Sequence, residues 1–252
     1  MKKIIWHGSP EIIEKPVFGL GKENNDYGLG FYCTETLELA KEWACQKPAK
    51  DGYANCYEFN IDGLTTLDLS GDEYTILNWL AVLANNRNFR VSTAVSKQGR
   101  DYLLNNFLPD ISNYDIITGY RADDSYFSFA RAFVNNQISI EQLSEAMKLG
   151  KLGEQIVIKS EKAFDAIKFQ KYEIADSAEY YIKRKKRNEE ANKQFRLQQE
   201  VDDINGLFMR DIIRERSSSR ESNICKWDWL GKTNGIWYLP KRTADIFHRN
   251  PP

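Results

Sequence analysis

The chain has 252 residues, 42% of them hydrophobic, so it can bury a core without disulfide or metal staples. Its 35 Lys and Arg residues nearly balance 36 Asp and Glu, which removes any bulk electrostatic case for a nucleic-acid or membrane partner. Cys33, Cys45, Cys56 and Cys225 show no short paired spacing, and His7 and His248 are the only histidines, so a structural zinc site is not expected.

The N-terminal apolar run is too short for a signal peptide, and no stretch approaches the roughly 20 apolar residues that cross a bilayer. A cytoplasmic protein with reduced thiols is expected. Lys2 to Trp6 reads as a short buried strand that stops at His7-Gly8-Ser9-Pro10. A Gly- and Asn-rich loop follows and ends at Tyr27-Gly28-Leu29-Gly30. Phe31 to Cys33 is a strand, and Thr34 is placed to cap a helix running to about Gln46. Residues 53 to 61 alternate as a strand, with Tyr53, Tyr57, Phe59 and Ile61 on one face. Leu64 to Leu69 is another strand. Helices are expected at Tyr74 to Ala84 and at Tyr102 to Leu108, the second stopping before Pro109.

Tyr114 to Tyr120 reads as a buried strand, followed by an aromatic-rich helix from Ser125 to Asn135. Ser139-Ile140-Glu141-Gln142 is a capping box opening the next helix. Glu154 to Lys159 is a strand, with Phe164 to Phe169 expected beside it. A densely charged helix spans residues 178 to 200, and Val201, Ile204, Phe208 and Ile212 extend it with one apolar face. Ser217 to Ser219 reads as a linker. The tail beyond it holds Trp227, Trp229 and Trp237, indole enough to pack on the body or on a partner. Strands and helices mix without regular alternation, which argues for an α+β fold.

Three features could carry chemistry. A strand ends in His7-Gly8-Ser9; a glycine turn feeds Gly28-Leu29-Gly30-Phe31-Tyr32 and a helix bearing Trp43; and Glu154 opens a late strand. Alone, each has an ordinary reading: a turn histidine, a tight turn, a core tryptophan, a solvent-facing strand start. Their combination in this order favours a site.

That pattern resembles the His-Tyr-Glu branch of the ADP-ribosyltransferase superfamily, which includes the poly-ADP-ribose polymerases and diphtheria-type toxins. The resemblance covers about residues 1 to 170. The chain is also similar to a bacterial family of uncharacterised proteins in that superfamily, some encoded beside antitoxins, and that likeness extends to about residue 215. The resemblance implies a split antiparallel β-core with inserted helices, an NAD-binding domain over 1–170, a helical extension over 171–216, and a linker and Trp-rich tail over 217–252. It implies that His7 bonds the adenine-side ribose and that the Gly8 backbone, next to Ser9, holds the nicotinamide amide. It implies that Tyr32 and Trp43 sandwich the nicotinamide, and that Glu154 is the catalytic carboxylate.

The implied activity is mono-ADP-ribosyl transfer from NAD to a macromolecular acceptor, protein or nucleic acid, as a toxin with an antitoxin protein for partner. NAD hydrolysis and an inactive binding module are the alternatives. NAD is the substrate, and neither a metal nor a membrane is required. Three positions depart from the family pattern. Trp43 replaces a tyrosine, Ala40 stands where a hydroxyl residue often meets the nicotinamide amide, and Leu152 stands where arginine-modifying relatives carry Glu or Gln. The last change argues against arginine as acceptor.

The chemistry suits the residues. Breaking the nicotinamide–ribose bond builds positive charge on the ribose, as in glycoside hydrolysis, and a fixed carboxylate stabilises that charge most in the transition state. Other clusters are weaker. Arg121 to Tyr126 reads equally as a polar cleft wall or as a helix cap at Asp123 or Asp124. Lys183 to Arg187 reads as a solvated helix face, given Glu189, Glu190 and Glu200 nearby. The cysteines offer no nucleophile partnered by His248.

Overall fold

The computed structural model of the protein describes residues 1–122, 124–149, 154–201 and 203–217. The first strand runs further than its apolar run suggests. β1 (Lys2–Ser9) continues through His7, Gly8 and Ser9, because all three pair antiparallel with β3 (Gly52–Asn60), from Lys2↔Asn60 to Ser9↔Tyr53. β7 (Ile167–Ala175) pairs with the other edge of β3. It does not lie beside the strand at Glu154, because the short helix α6 (Glu161–Asp165), capped by Ser160, turns the chain between them. Opposite the Cys56–Tyr57 step of β3, β7 carries one extra residue, Gln170, while the alternation of β3 itself is unbroken. Tyr57 and Phe59 are buried on one face, while Tyr53, on the same face near the strand's start, stays half-exposed against Tyr172.

The second sheet has the order β2 (Phe31–Cys33), β6 (Glu154–Ile158), β5 (Ile116–Tyr120), β4 (Thr66–Asp68). β2 and β5 flank β6 antiparallel, but β4 runs parallel to β5. The expected all-antiparallel core is thus mixed at this edge, and the long crossover through two helices makes the parallel pairing reachable. Among the described residues, one backbone bridge joins the two sheets. Trp6 and Thr34 exchange both backbone hydrogen bonds, at 2.7 and 2.9 Å. Thr34 is therefore a strand-edge residue. The helix that follows, α1 (Leu37–Ala44), begins after Thr36 instead.

α2 (Ile76–Asn86) and α3 (Ala94–Phe107) lie between β4 and β5 in the chain, and α4 (Asp124–Val134) and α5 (Ile140–Leu149) lie between β5 and β6. α3 starts well before Tyr102 because Thr93 and Ser96 close a reciprocal cap. The expected capping box at α5 forms, with Ser139 and Gln142 exchanging bonds of 2.9 and 3.1 Å. α2 is buried on every side, Trp79 and Leu80 included. With α3, α4 and α5 it covers one face of the second sheet, around Ile117 and Val157. A second core, built on Ile5, Phe31, Tyr57, Phe59, Ile156 and Ile158, draws on both sheets.

α7 (Ser177–Glu200) packs on α1, and its basic run is partly used there. Arg187 forms a paired contact with buried Glu42, and Lys183 meets Glu38. α7 ends at Glu200, and Val201 and Ile204 are exposed, so they do not extend its apolar face as their spacing suggests. A separate helix, α8 (Met209–Ser217), buries Met209 and Ile212. β7 crosses residue 170 without a break. Residues 218–252 with the three tail tryptophans, and also Asp123 and Leu152, lie outside the described residues. Among the described residues, no helix is long and apolar enough to cross a membrane.

Candidate active site

The residues singled out by the motifs lie on β1, β2, α1 and β6, the elements near the joint between the sheets, and on both of its sides. Gly8 is one residue past His7 and two past Trp6, on the side of β1 that faces α1. A Cβ at Gly8 would overlap the Ala40 carbonyl oxygen and lie 2.8 Å from both Ala44 N and Trp43 Cβ. Only glycine lets the helix come this close. Ala40 is fully buried under it, so no hydroxyl is available at that position. Ser9 pairs with Tyr53, and its hydroxyl accepts the Glu11 N–H at 3.2 Å.

His7 points to the other side of β1, the side of Ile5. Its ring stacks on Phe31 with centroids 4.2 Å apart, and Nδ1 lies 2.7 Å from the Tyr32 carbonyl oxygen. A carbonyl can only accept, so Nδ1 carries the proton and Nε2 is left as an acceptor. Burial pushes the His7 pKa below its ordinary 6.5, against the opposing pull of the Tyr32 carbonyl. The neutral ring is therefore the folded-state form. Its stabilising contribution is complete above pH 6.5 and is lost as pH falls through the lowered folded-state value.

Asp26 has the opposite sign, because burial raises its carboxyl pKa. The difference between two proteins therefore isolates the histidine. In urea titrations from pH 7 to pH 5, wild type is expected to lose more stability than His7→Asn, by at most about 1.4 kcal/mol per pH unit. Equal slopes would show that His7 does not titrate in this way.

Tyr32 sits on the Gly8 side of the joint, two residues from Thr34. Its hydroxyl donates to the Gly28 carbonyl at 2.6 Å and accepts the Tyr27 N–H at 3.1 Å. Gly28 has φ +74°, which suits glycine and closes this loop onto the phenol. Trp43 is half-buried, and the Arg121 guanidinium lies 4.2 Å over its ring. Arg121 directly follows Tyr120, the last residue of β5 and the cross-strand partner of Glu154. Burial raises the Tyr120 phenol to about 12, and the nearby Glu154 carboxylate adds to the effect.

Glu154 itself is exposed at the head of β6. By alternation it shares a face with Ile156, Phe31 and Cys33, the face on which His7 stacks. It lies two residues, about 7 Å, along β6 from the partner of Cys33. His7 and Glu154 thus occupy one side of the joint and Gly8, Tyr32 and Trp43 the other; Arg121, next in the chain to the partner of Glu154, lies over Trp43.

Several residues were not signalled by motif. Asp26 is 6% exposed. It accepts from Arg87 Nη1 at 2.9 Å, from the Ala122 N–H at 2.8 Å and from Gln155 Nε2 at 3.0 Å. Its partners lie 61 to 129 residues away in the chain, so no local spacing reveals them. Surface depressions of about 200 and 180 Å³ lie near Asp68 and Tyr114, and near Phe18, Lys159 and Phe164. Neither includes His7, Trp43 or Glu154 in its lining. Cys33, Cys45 and Cys56 are buried free thiols, and burial holds each above the ordinary thiol pKa. Among the described residues, no three His, Cys, Asp or Glu side chains gather as a metal site.

A family model described as "Protein of unknown function (DUF3990)" matches residues 3–169. The chain belongs to that family. The DUF3990 match includes every residue placed at the joint, from His7 to Glu154, and ends inside β7, so α7 and α8 lie beyond it. No curated protein and no solved structure matches the chain.

Proposed function

We propose that this DUF3990 protein is an NAD-dependent mono-ADP-ribosyltransferase built on a split-sheet core of the ADP-ribosyltransferase type. The observation that carries this reading is the Trp6–Thr34 bridge between the two sheets, with His7 and Gly8 next along one bridged strand and Tyr32 two residues away on the other. Nε2 of His7, left as an acceptor, suits an adenine-side ribose hydroxyl. The Gly8 backbone, free of a side chain, suits the nicotinamide amide. Trp43 and Tyr32 lie on the same side and suit a flat cationic ring between them.

Glu154 accepts a hydroxyl of the nicotinamide ribose and faces the positive charge that grows at its anomeric carbon. The bond from that carbon to the nicotinamide nitrogen breaks, and its electron pair leaves with neutral nicotinamide. The acceptor's nucleophile then forms the new bond and sheds its proton. The implied acceptor is a macromolecule, and a toxin role with an antitoxin partner belongs to the same reading. NAD hydrolysis is the second reading, favoured by the exposure of Glu154, which gives water access to the same carbon.

Incubation with NAD labelled on the adenylate, alone and with cell lysate, tests the reading. Nicotinamide release with label on a macromolecule is the expected result. Release without label means hydrolysis, and no release from wild type overturns the proposal. Trp43→Ala is expected to raise KM for NAD about 2- to 30-fold through the lost cation–π contact, with a smaller change in kcat. An unchanged KM would remove Trp43 from the site.

A further inference from the structure

Arg121 stands one residue beyond the end of β5, where the strand ladder no longer fixes the chain. The peptide groups on both sides of it are nevertheless tied down. The Tyr120 carbonyl accepts from Tyr27 Oη at 2.8 Å, Trp79 Nε1 at 3.0 Å and Gln155 Nε2 at 3.3 Å. The Ala122 N–H goes to Asp26 Oδ2, and its carbonyl accepts from Arg87 Nη1 at 3.1 Å. We infer that Asp26 and Arg87 are positioning residues, which hold Arg121 on the Trp43 ring and index it to the strand head that carries Glu154. The catalytic part of this role rests on the NAD reading above; the structural part does not.

The carboxylate of Asp26 is the hub. One oxygen takes Arg87, at the C-terminal end of α2; the other takes both Ala122 and Gln155. Arg121 and Glu154 are therefore each next in the chain to a residue that Asp26 holds. Asn86 adds a bond of 3.3 Å to the Asp26 carbonyl, and Arg87 also covers the Phe127 ring at 4.4 Å. Burying an ion pair costs several kcal/mol per ion, and a well-packed apolar pair often serves stability as well or better. What apolar residues cannot do is bond three separate elements at defined distances and angles. The pair earns its place through geometry, by fixing the cap of α2, the segment just after β5 and the head of β6 relative to one another. With its peptide neighbours fixed, the Arg121 guanidinium sets the electrostatics of the Trp43 ring, while Gln155 fixes the head of β6.

The test reads Trp43 directly. Protein labelled with 5-fluorotryptophan gives a ¹⁹F resonance for Trp43, assigned by its loss in Trp43→Phe. Asp26→Asn is expected to move that resonance toward its position in Arg121→Ala and to leave the Trp6 resonance in place. It is also expected to lower kcat for nicotinamide release about 10- to 100-fold, as misplacement of about 1 Å does, with KM for NAD changed less. Should Asp26→Asn fail to fold, Arg87→Gln and Gln155→Leu are read in the same way, each removing one bond of the hub.

A folded variant with the Trp43 resonance at its wild-type position overturns the positioning role, even if wild type cleaves NAD. Movement of both the Trp43 and Trp6 resonances also overturns it, as a general loosening. A selective shift at Trp43 in a protein that releases no nicotinamide upholds the positioning role and defeats the NAD reading instead.

Discussion

Glu154→Gln is expected to release nicotinamide about a hundred- to a thousand-fold more slowly than wild type, the usual loss when a preorganised transition-state group is removed. The substitution keeps the side chain's shape and its ability to accept a hydrogen bond, and removes only the negative charge. That charge matters little to bound NAD and much to a ribose becoming cationic, so kcat should fall while KM stays close to wild type. Stability should barely change. The side chain is exposed at the head of β6, and surface substitutions of this kind usually stay within about 0.5 kcal/mol. Initial-rate measurement of free nicotinamide, with a thermal melt of the same samples, separates the two effects. Equal rates in both proteins would remove Glu154 from the chemistry.

Gly8→Ala is expected to have the largest effect on stability, because the added methyl has nowhere to go. It would meet the Ala40 carbonyl oxygen, the Ala44 nitrogen and the Cβ of Trp43. Two of these are backbone atoms of α1, which cannot swing aside as a long side chain can. Overpacking typically costs 1–3 kcal/mol and sometimes more, and rigid neighbours put this site at about 3 kcal/mol. That corresponds to a fall in Tm of about 6–12 °C for a chain of this size. Relief requires α1 to slide away from β1, carrying Trp43 with it, so NAD binding should weaken alongside. A Tm within about 2 °C of wild type would mean that α1 does not press on Gly8 as described.

Elements with a strong local signal were legible in the sequence. The apolar strand at Ile116, the capping box at Ser139 and the charged helix from Ser177 all form at or within a few residues of their expected places. Misreadings arose where a partner decides the outcome. His7 to Ser9 look like a turn until β3 pairs with them. Thr34 looks like a helix cap until Trp6 takes both of its backbone groups. Phe164 to Phe169 look like a neighbour of β6 until Ser160 caps a helix and β3 offers a free edge. Val201 and Ile204 keep a helical spacing in a stretch where the helix has already ended.

The site divides in the same way. His7, Gly8, Tyr32, Trp43 and Glu154 are recognisable because their residue types recur in a set order along the chain. Asp26, Arg87 and Gln155 are not, because a buried carboxylate takes partners from the cap of α2, the segment after β5 and the head of β6, which no short motif spans. On sequence alone the Arg121–Tyr126 stretch reads equally as a cleft wall or as a helix cap at Asp123 or Asp124. The guanidinium on Trp43 puts Arg121 at the joint, whereas Asp123 lies outside the described residues.

The most direct measurement is a crystal structure of Glu154→Gln soaked with intact NAD. The account predicts the nicotinamide ring against Trp43, its amide on the Gly8 backbone, and the adjoining ribose carbon in front of residue 154. A dinucleotide seated away from the Trp6–Thr34 joint, or none bound at saturating concentration, would contradict it.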